Sequence, residues 1–284
     1  MMAFEVMISC EEASGYLQEP SWVFVDCRAS LADKSQGYAD YLQSHIAGAV
    51  YASLDGDLSG SVIPGQTGRH PLPDKQSLID TFSRLGITNL SQVVVYDNQA
   101  GQMAAARLWW LLKWAGHASV AVLDGGLQCW QKSGLPVQSG LEQNAKSNFL
   151  ASFDDTLLAS SDDVLAKISA PGFVIVDSRA TDRYHGQNET IDPVAGHIPG
   201  AISYPFGNNI SADGRLKAPV ALKGQFKEIE SFRPEHTIFY CGSGVTAAQN
   251  ILSYTYAHPG KKMPRLYVGS WSEWITDKNR PIAS

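Results

Sequence analysis

Cysteine is scarce and dispersed. The 284-residue chain holds four, Cys10, Cys27, Cys129 and Cys241. No two stand in a C-x-x-C pair, so the usual zinc spacing is missing. Four scattered thiols make no disulfide framework, which fits a reducing compartment. Positive charge is also short: 22 basic residues stand against 28 acidic ones, a net charge of −6. That balance argues against a nucleic-acid or anionic-membrane partner. No apolar run is long enough to span a bilayer. Met1 to Cys10 carries Glu5 and has no basic region before its apolar residues, so no secretory leader is expected. The cytoplasm is the expected location. What remains is 44% hydrophobic and 18% charged, with length for one large domain or two ordinary ones.

The chain contains itself twice. Trp22-Val-Phe-Val-Asp-Cys-Arg-Ala29 returns as Phe173-Val-Ile-Val-Asp-Ser-Arg-Ala180, so Asp26 matches Asp177 and Arg28 matches Arg179. Ser44-His-Ile-Ala-Gly-Ala49 returns as Gly196-His-Ile-Pro-Gly-Ala201, and Val93-Val-Val-Tyr-Asp97 as Thr237-Ile-Phe-Tyr-Cys241. With one residue added, Leu123 to Trp130 matches Leu266 to Trp274. Four blocks in the same order, so far apart, indicate a duplicated domain rather than a solenoid. A polar stretch around Gln138 to Phe153 without periodicity reads as the linker. The expected division is therefore 1–137, a linker over 138–157, and 158–284.

Each copy alternates strands and helices. Val23 to Asp26 and Phe173 to Asp177 are short apolar runs that end on a polar residue, as buried parallel strands do. Val93 to Tyr96 and Ile238 to Tyr240 predict a second strand, Ser119 to Leu123 and Arg265 to Val268 a third. Gly101 to Ala115 predicts a helix with Met103, Arg107, Trp110 and Trp114 along one side; Gln249 to Ala257 is its counterpart. The expectation is a doubly wound α/β domain with a mostly parallel sheet, present twice. Ligands of such sheets bind beyond the carboxyl ends of the strands.

Cys241 sits at one of those ends. Gly242 and Gly244 let the backbone curl around it. The helix that follows turns its positive end toward the thiol, and converging N–H groups favour a thiolate. A buried cysteine that merely packs is the other reading of this position. In the first copy the matching residue is Asp97. A carboxylate cannot stand in for a nucleophilic thiolate, so that copy is expected to be chemically silent, with Asp97 as an N-cap.

These blocks resemble the tandem-domain rhodanese-like sulfurtransferases over nearly the whole chain. Cys241-Gly-Ser-Gly-Val-Thr246 is similar to the active loop of the 3-mercaptopyruvate sulfurtransferases; the thiosulfate-preferring members carry Arg and Lys where Gly242 and Ser243 stand. The resemblance implies covalent sulfur transfer. Cys241 takes the donor's outer sulfur as a persulfide, 3-mercaptopyruvate leaves as pyruvate, and a small thiol, cyanide or a thioredoxin-like acceptor removes the sulfur. Gly242, Gly244, Val245 and Thr246 would cradle the outer sulfur with their amides. Ser243, His70 and Asp55 match a Ser/His/Asp relay for the donor's thiol proton, with Asp57 a competitor for the last place. Arg183 would hold the substrate carboxylate through its planar fork. Arg179, Arg28, His197 and His45 occur in both copies and read as structural. No metal or organic cofactor is implied.

One position departs from the pattern. A second Arg is expected seven residues before His197, and Thr190 stands there. Gln187 to Pro193 holds no basic residue at all. Arg69 is a candidate for the missing charge. Thiosulfate remains the alternative donor, and a sulfur-carrier or docking module with little turnover the alternative function. Against a cysteine phosphatase stands Ala247, at the position where its C-x5-R loop requires Arg.

Overall fold

The computed structural model describes residues 3–284. It divides into two compact units. Unit 1 comprises 3–60, 73–154 and 211–216; unit 2 comprises 61–72, 155–210 and 217–284. Two short segments therefore belong to the unit opposite to their place in the sequence, and one of them carries Arg69 and His70.

Unit 1 holds strands β1 (Met7–Ile8), β2 (Trp22–Asp26), β3 (His45–Ile46), β4 (Val50–Tyr51), β5 (Gln92–Tyr96), β6 (Val120–Leu123) and β7 (Val137–Gln138). Its helices are α1 (Cys10–Ser14), α2 (Gln36–Gln43), α3 (Lys75–Arg84), α4 (Ala104–Trp114) and α5 (Gly126–Lys132). Five strands form a parallel sheet in the order β1-β6-β5-β2-β4, while β3 and β7 pair separately and antiparallel. Unit 2 repeats the plan. Strands β8 (Leu158–Ala159), β9 (Val174–Asp177), β10 (Ile202–Ser203), β11 (Thr237–Tyr240) and β12 (Arg265–Tyr267) form a parallel sheet in the order β10-β9-β11-β12-β8. Helices α6 (Ser161–Lys167), α7 (Thr181–Tyr184), α8 (Pro219–Gln225), α9 (Thr246–Ala257) and α10 (Ser270–Trp274) accompany it. The central strands β2, β5, β9 and β11 are buried at every residue, as their unbroken apolar runs require. Among the described residues no helix is long and apolar enough to cross a membrane.

The two units agree down to single hydrogen bonds. The Tyr96 hydroxyl accepts from the Ile46 amide at 3.1 Å, and the Tyr240 hydroxyl from that of Ile198 at 3.1 Å. His45 Nδ1 bonds the Tyr41 carbonyl at 2.7 Å, and His197 Nδ1 that of Tyr184 at 2.8 Å. Trp130 and Trp274 each donate at 2.9 Å to a proline carbonyl six or seven residues on. The duplicated arginines are equally matched. Arg28 Nε donates to both oxygens of Asp26 at 2.9 and 3.1 Å, and Arg179 Nε to both of Asp177 at 3.1 Å. Each also reaches a carbonyl, of Ser44 at 2.6 Å and of Gly196 at 2.7 Å. These pairs tie the end of a central strand to the loop beside it.

Two local expectations are corrected. Helix α4 starts at Ala104 rather than at Gly101, and it is enclosed on all sides rather than one, with Lys113 the exception. Helix α9 runs Thr246–Ala257, from the residue where helix-compatible composition begins, and its first turn forms directly on the Cys241 loop. Asp97 is not an N-cap. Met103 holds that position, since the loop of unit 1 is two residues longer than that of unit 2.

Candidate active site

β11 ends at Tyr240, and the chain turns through Cys241-Gly-Ser-Gly-Val245 into α9. Cys241 is 1% exposed. Its Sγ accepts the Gly244 amide at 3.1 Å. Three neighbours fix the loop from below: Ser270 Oγ accepts the Cys241 amide at 3.1 Å, and the Cys241 and Gly242 carbonyls accept the amides of Trp271 and Ser272 at 3.0 and 2.9 Å. Gly244 is required on two counts. Its φ is +77°, and a Cβ there would lie 2.4 Å from the Val268 carbonyl oxygen. Val245, the residue before α9, caps no amide with its side chain, so the first-turn N–H groups of a twelve-residue helix remain directed at the loop.

The first unit shows what such a loop holds. Asp97 occupies the place of Cys241, and its carboxylate collects the amides of Gln99 at 3.1 Å, Gly101 at 3.2 Å and Met103 at 2.9 Å. Burial pushes its carboxyl up to about 6, with the amide hydrogen bonds pulling the other way. The loop type thus turns its backbone N–H groups onto the side chain at its tip.

Ser243 and His70 meet directly. His70 Nδ1 lies 2.7 Å from Ser243 Oγ, and both residues are buried. The segment bearing His70 is seated on the turn before α10. The Arg69 amide donates to Ser272 Oγ at 3.0 Å, and a Cβ on Gly68 would lie 2.5 Å from the Gly269 carbonyl oxygen. Asp55 belongs to unit 1, where Lys34 Nζ donates to it at 2.6 Å. Asp57 is also engaged in unit 1, accepting the Ser53 amide at 2.8 Å and pairing with Arg84.

Two guanidiniums stand over Gly242. A Cβ built there would lie 2.8 Å from Arg69 Nη2 and 3.7 Å from both terminal nitrogens of Arg183. Burial draws the Arg69 guanidinium below its usual value, while Cys241 acts in the opposite direction. Thr190, where a second arginine is expected, is exposed. Sequence reasoning singled out neither Glu189 nor Asp192, yet both are nearly enclosed and both bind these guanidiniums. The only signal was a pair of acids in a segment noticed for its missing bases. Ser270 and Ser272 carried no signal, because their role depends on which turn lies beneath the loop.

The rhodanese-like domain family matches residues 9–133 and 160–277. A protein of Pseudomonas aeruginosa described as "Probable 3-mercaptopyruvate sulfurtransferase" is 42% identical over all of this chain and 99% of its own length. The thiosulfate sulfurtransferase of Bos taurus is 34% identical over 83% of this chain and 79% of its own. Among solved structures, the 3-mercaptopyruvate sulfurtransferase from Leishmania major superposes with a TM-score of 0.85 at 31% identity, over 98% of this chain and 76% of that one. With two family matches covering most of the sequence and a relative aligned end to end, the chain belongs to the rhodanese-like family.

Proposed function

We propose that the protein is a sulfurtransferase that carries sulfur on Cys241 and takes it by preference from 3-mercaptopyruvate. The observation that carries this reading is the Cys241 sulfur under the Gly244 amide, at the uncapped end of α9 and beside two guanidiniums. That environment offers N–H groups and positive charge to a second sulfur. Asp97, held by three amides in the matching loop, supports the view that this loop type aims its N–H groups at the side chain on its tip.

The thiolate attacks the sulfur of 3-mercaptopyruvate. An S–S bond forms and the C–S bond breaks, its electron pair passing to C3; the pyruvate enolate takes up a proton and leaves as pyruvate. Ser243, with its hydroxyl against His70, would relay the proton between the donor's thiol and the departing carbon. Arg183 and Arg69 face the donor's carboxylate. A thiol acceptor or cyanide then removes the outer sulfur and restores the Cys241 thiolate. The loop of unit 1 has no thiol at its tip, so unit 1 takes no part in the covalent step.

Thiosulfate is the second donor to consider, because Arg69 over Gly242 supplies part of the positive charge that an uncharged loop lacks. The direct comparison is pyruvate release from 3-mercaptopyruvate against thiocyanate release from thiosulfate plus cyanide. We expect the higher kcat/KM with 3-mercaptopyruvate; a higher value with thiosulfate reverses the assignment.

A further inference from the structure

The guanidiniums beside Cys241 are already bound by carboxylates of the protein. Arg183 Nε donates to both oxygens of Glu189 at 2.9 and 3.1 Å, and its Nη2 donates to Asp192 at 2.9 Å. Arg69 donates to the other Asp192 oxygen. Arg179 Nη1 lies 3.6 Å from Glu189. The acids are built in rather than resting on the surface. Their side chains are 3% and 1% exposed, and Glu189 Oε1 also accepts the amides of Ile191 and Asp192 at 2.9 and 3.0 Å. Arg183, at 16%, and Arg69, at 34%, are the more open partners. Counting Asp177, three arginines here face three carboxylates, so the cluster carries no net charge.

Arg183 gives its Nε to Glu189 and its Nη2 to Asp192, and Arg69 gives a terminal nitrogen to Asp192, so a substrate carboxylate that takes these forks bidentately meets donors already committed. Taking the Asp192 and Glu189 oxygens out of these pairs leaves buried charge unpaired unless another anion replaces them. We propose that Glu189 and Asp192 are specificity-determining residues that compete with the donor's carboxylate for Arg183 and Arg69, so that binding an anionic donor is an exchange of carboxylates. The proposal rests on the reading above, in which the donor is a small carboxylate. It makes the protein's own acids, rather than the number of arginines, the setting of KM. It also separates donors by charge: an uncharged trisulfide requires no exchange.

The test uses the full-length chain with Glu189→Gln and, separately, Asp192→Asn. Both keep the side chain's shape and an oxygen acceptor while removing the charge. The expected result is a KM for 3-mercaptopyruvate lower by about tenfold, with kcat within about twofold and kinetics with dimethyl trisulfide unchanged. Glu189→Asp, which keeps the charge, should leave KM near the wild-type value. In a Cys241→Ser background, where no turnover occurs, pyruvate titrated calorimetrically should bind tighter by the same factor when either acid is neutralised. Unchanged or weaker pyruvate binding in a variant that melts with wild type overturns the exchange. Failure of the wild type to form a persulfide from 3-mercaptopyruvate contradicts the functional reading instead, and the pyruvate titration still decides the exchange.

Discussion

Alanine at Gly244 should damage the protein through its backbone, and two other glycines separate the causes. At φ +77° an L side chain costs about 1–2 kcal/mol. The added methyl would also stand 2.4 Å from the Val268 carbonyl oxygen, a backbone atom that cannot swing aside. Such overpacking adds about 1–3 kcal/mol, so Gly244→Ala should lose about 2–5 kcal/mol of stability. Gly260 has the same handedness, φ +81°, with nothing within 4 Å of its Cβ position, and Gly260→Ala should cost only the first part, about 1–2 kcal/mol. Gly242 lies outside the left-handed region, and its nearest neighbour is the mobile end of Arg69 at 2.8 Å. Gly242→Ala should therefore keep the fold within about 1 kcal/mol while displacing Arg69 and raising KM. Urea unfolding gives the stabilities, and pyruvate release gives the kinetics. If Gly244→Ala proves as stable as Gly260→Ala, the claim that the loop is pinned against Val268 is wrong.

Three further outcomes are expected. Ser243→Ala and His70→Ala should each lower kcat, and the double variant should fall short of the product of the two by a coupling of about 1 kcal/mol; strictly multiplicative losses in kcat/KM would contradict a shared proton relay. Arg183→Lys should raise the KM for 3-mercaptopyruvate by about tenfold and leave most of kcat, since an ammonium cannot reproduce the two-edged fork; an unchanged KM would remove Arg183 from the donor site. Asp97 bears on pH. Its folded value, raised to about 6, exceeds the unfolded 3.8, so the folded state holds this proton more tightly. The stability it contributes is complete below pH 3.8 and is lost as pH rises through 6, a change of about 3 kcal/mol. Asp97→Asn should flatten the stability profile between pH 4 and 7, whatever it does to the absolute value; an unaltered slope would refute the assignment.

Strands announced themselves in the sequence because burial on both faces leaves an unbroken apolar run, as in Val93 to Val95 and Val174 to Val176. Duplication sharpened the site further. Residues present in both copies, such as Arg28 with Arg179 and His45 with His197, proved to have the same backbone partners. The unmatched Cys241 stood out against them. The structure then brought Ser243 and His70 to 2.7 Å, a contact between residues 173 apart that no local pattern encodes. Helix starts were legible only to within a few residues, because loop length decides them: Asp97 and Cys241 occupy equivalent strand ends, yet α4 and α9 begin seven and five residues later. Glu189 and Asp192 escaped notice for a different reason. An acid in a polar loop reads as solvated, and only the fold shows that these two turn inward onto Arg183.

The central claim is that Cys241 carries the transferred sulfur, and intact-protein mass spectrometry after treatment with 3-mercaptopyruvate tests it most directly. The account predicts a gain of one sulfur that maps to Cys241, is matched by released pyruvate, disappears on adding a thiol acceptor or cyanide, and is absent from Cys241→Ser. No gain in mass, or a sulfur found on Cys10, Cys27 or Cys129 with Cys241 unmodified, would contradict it.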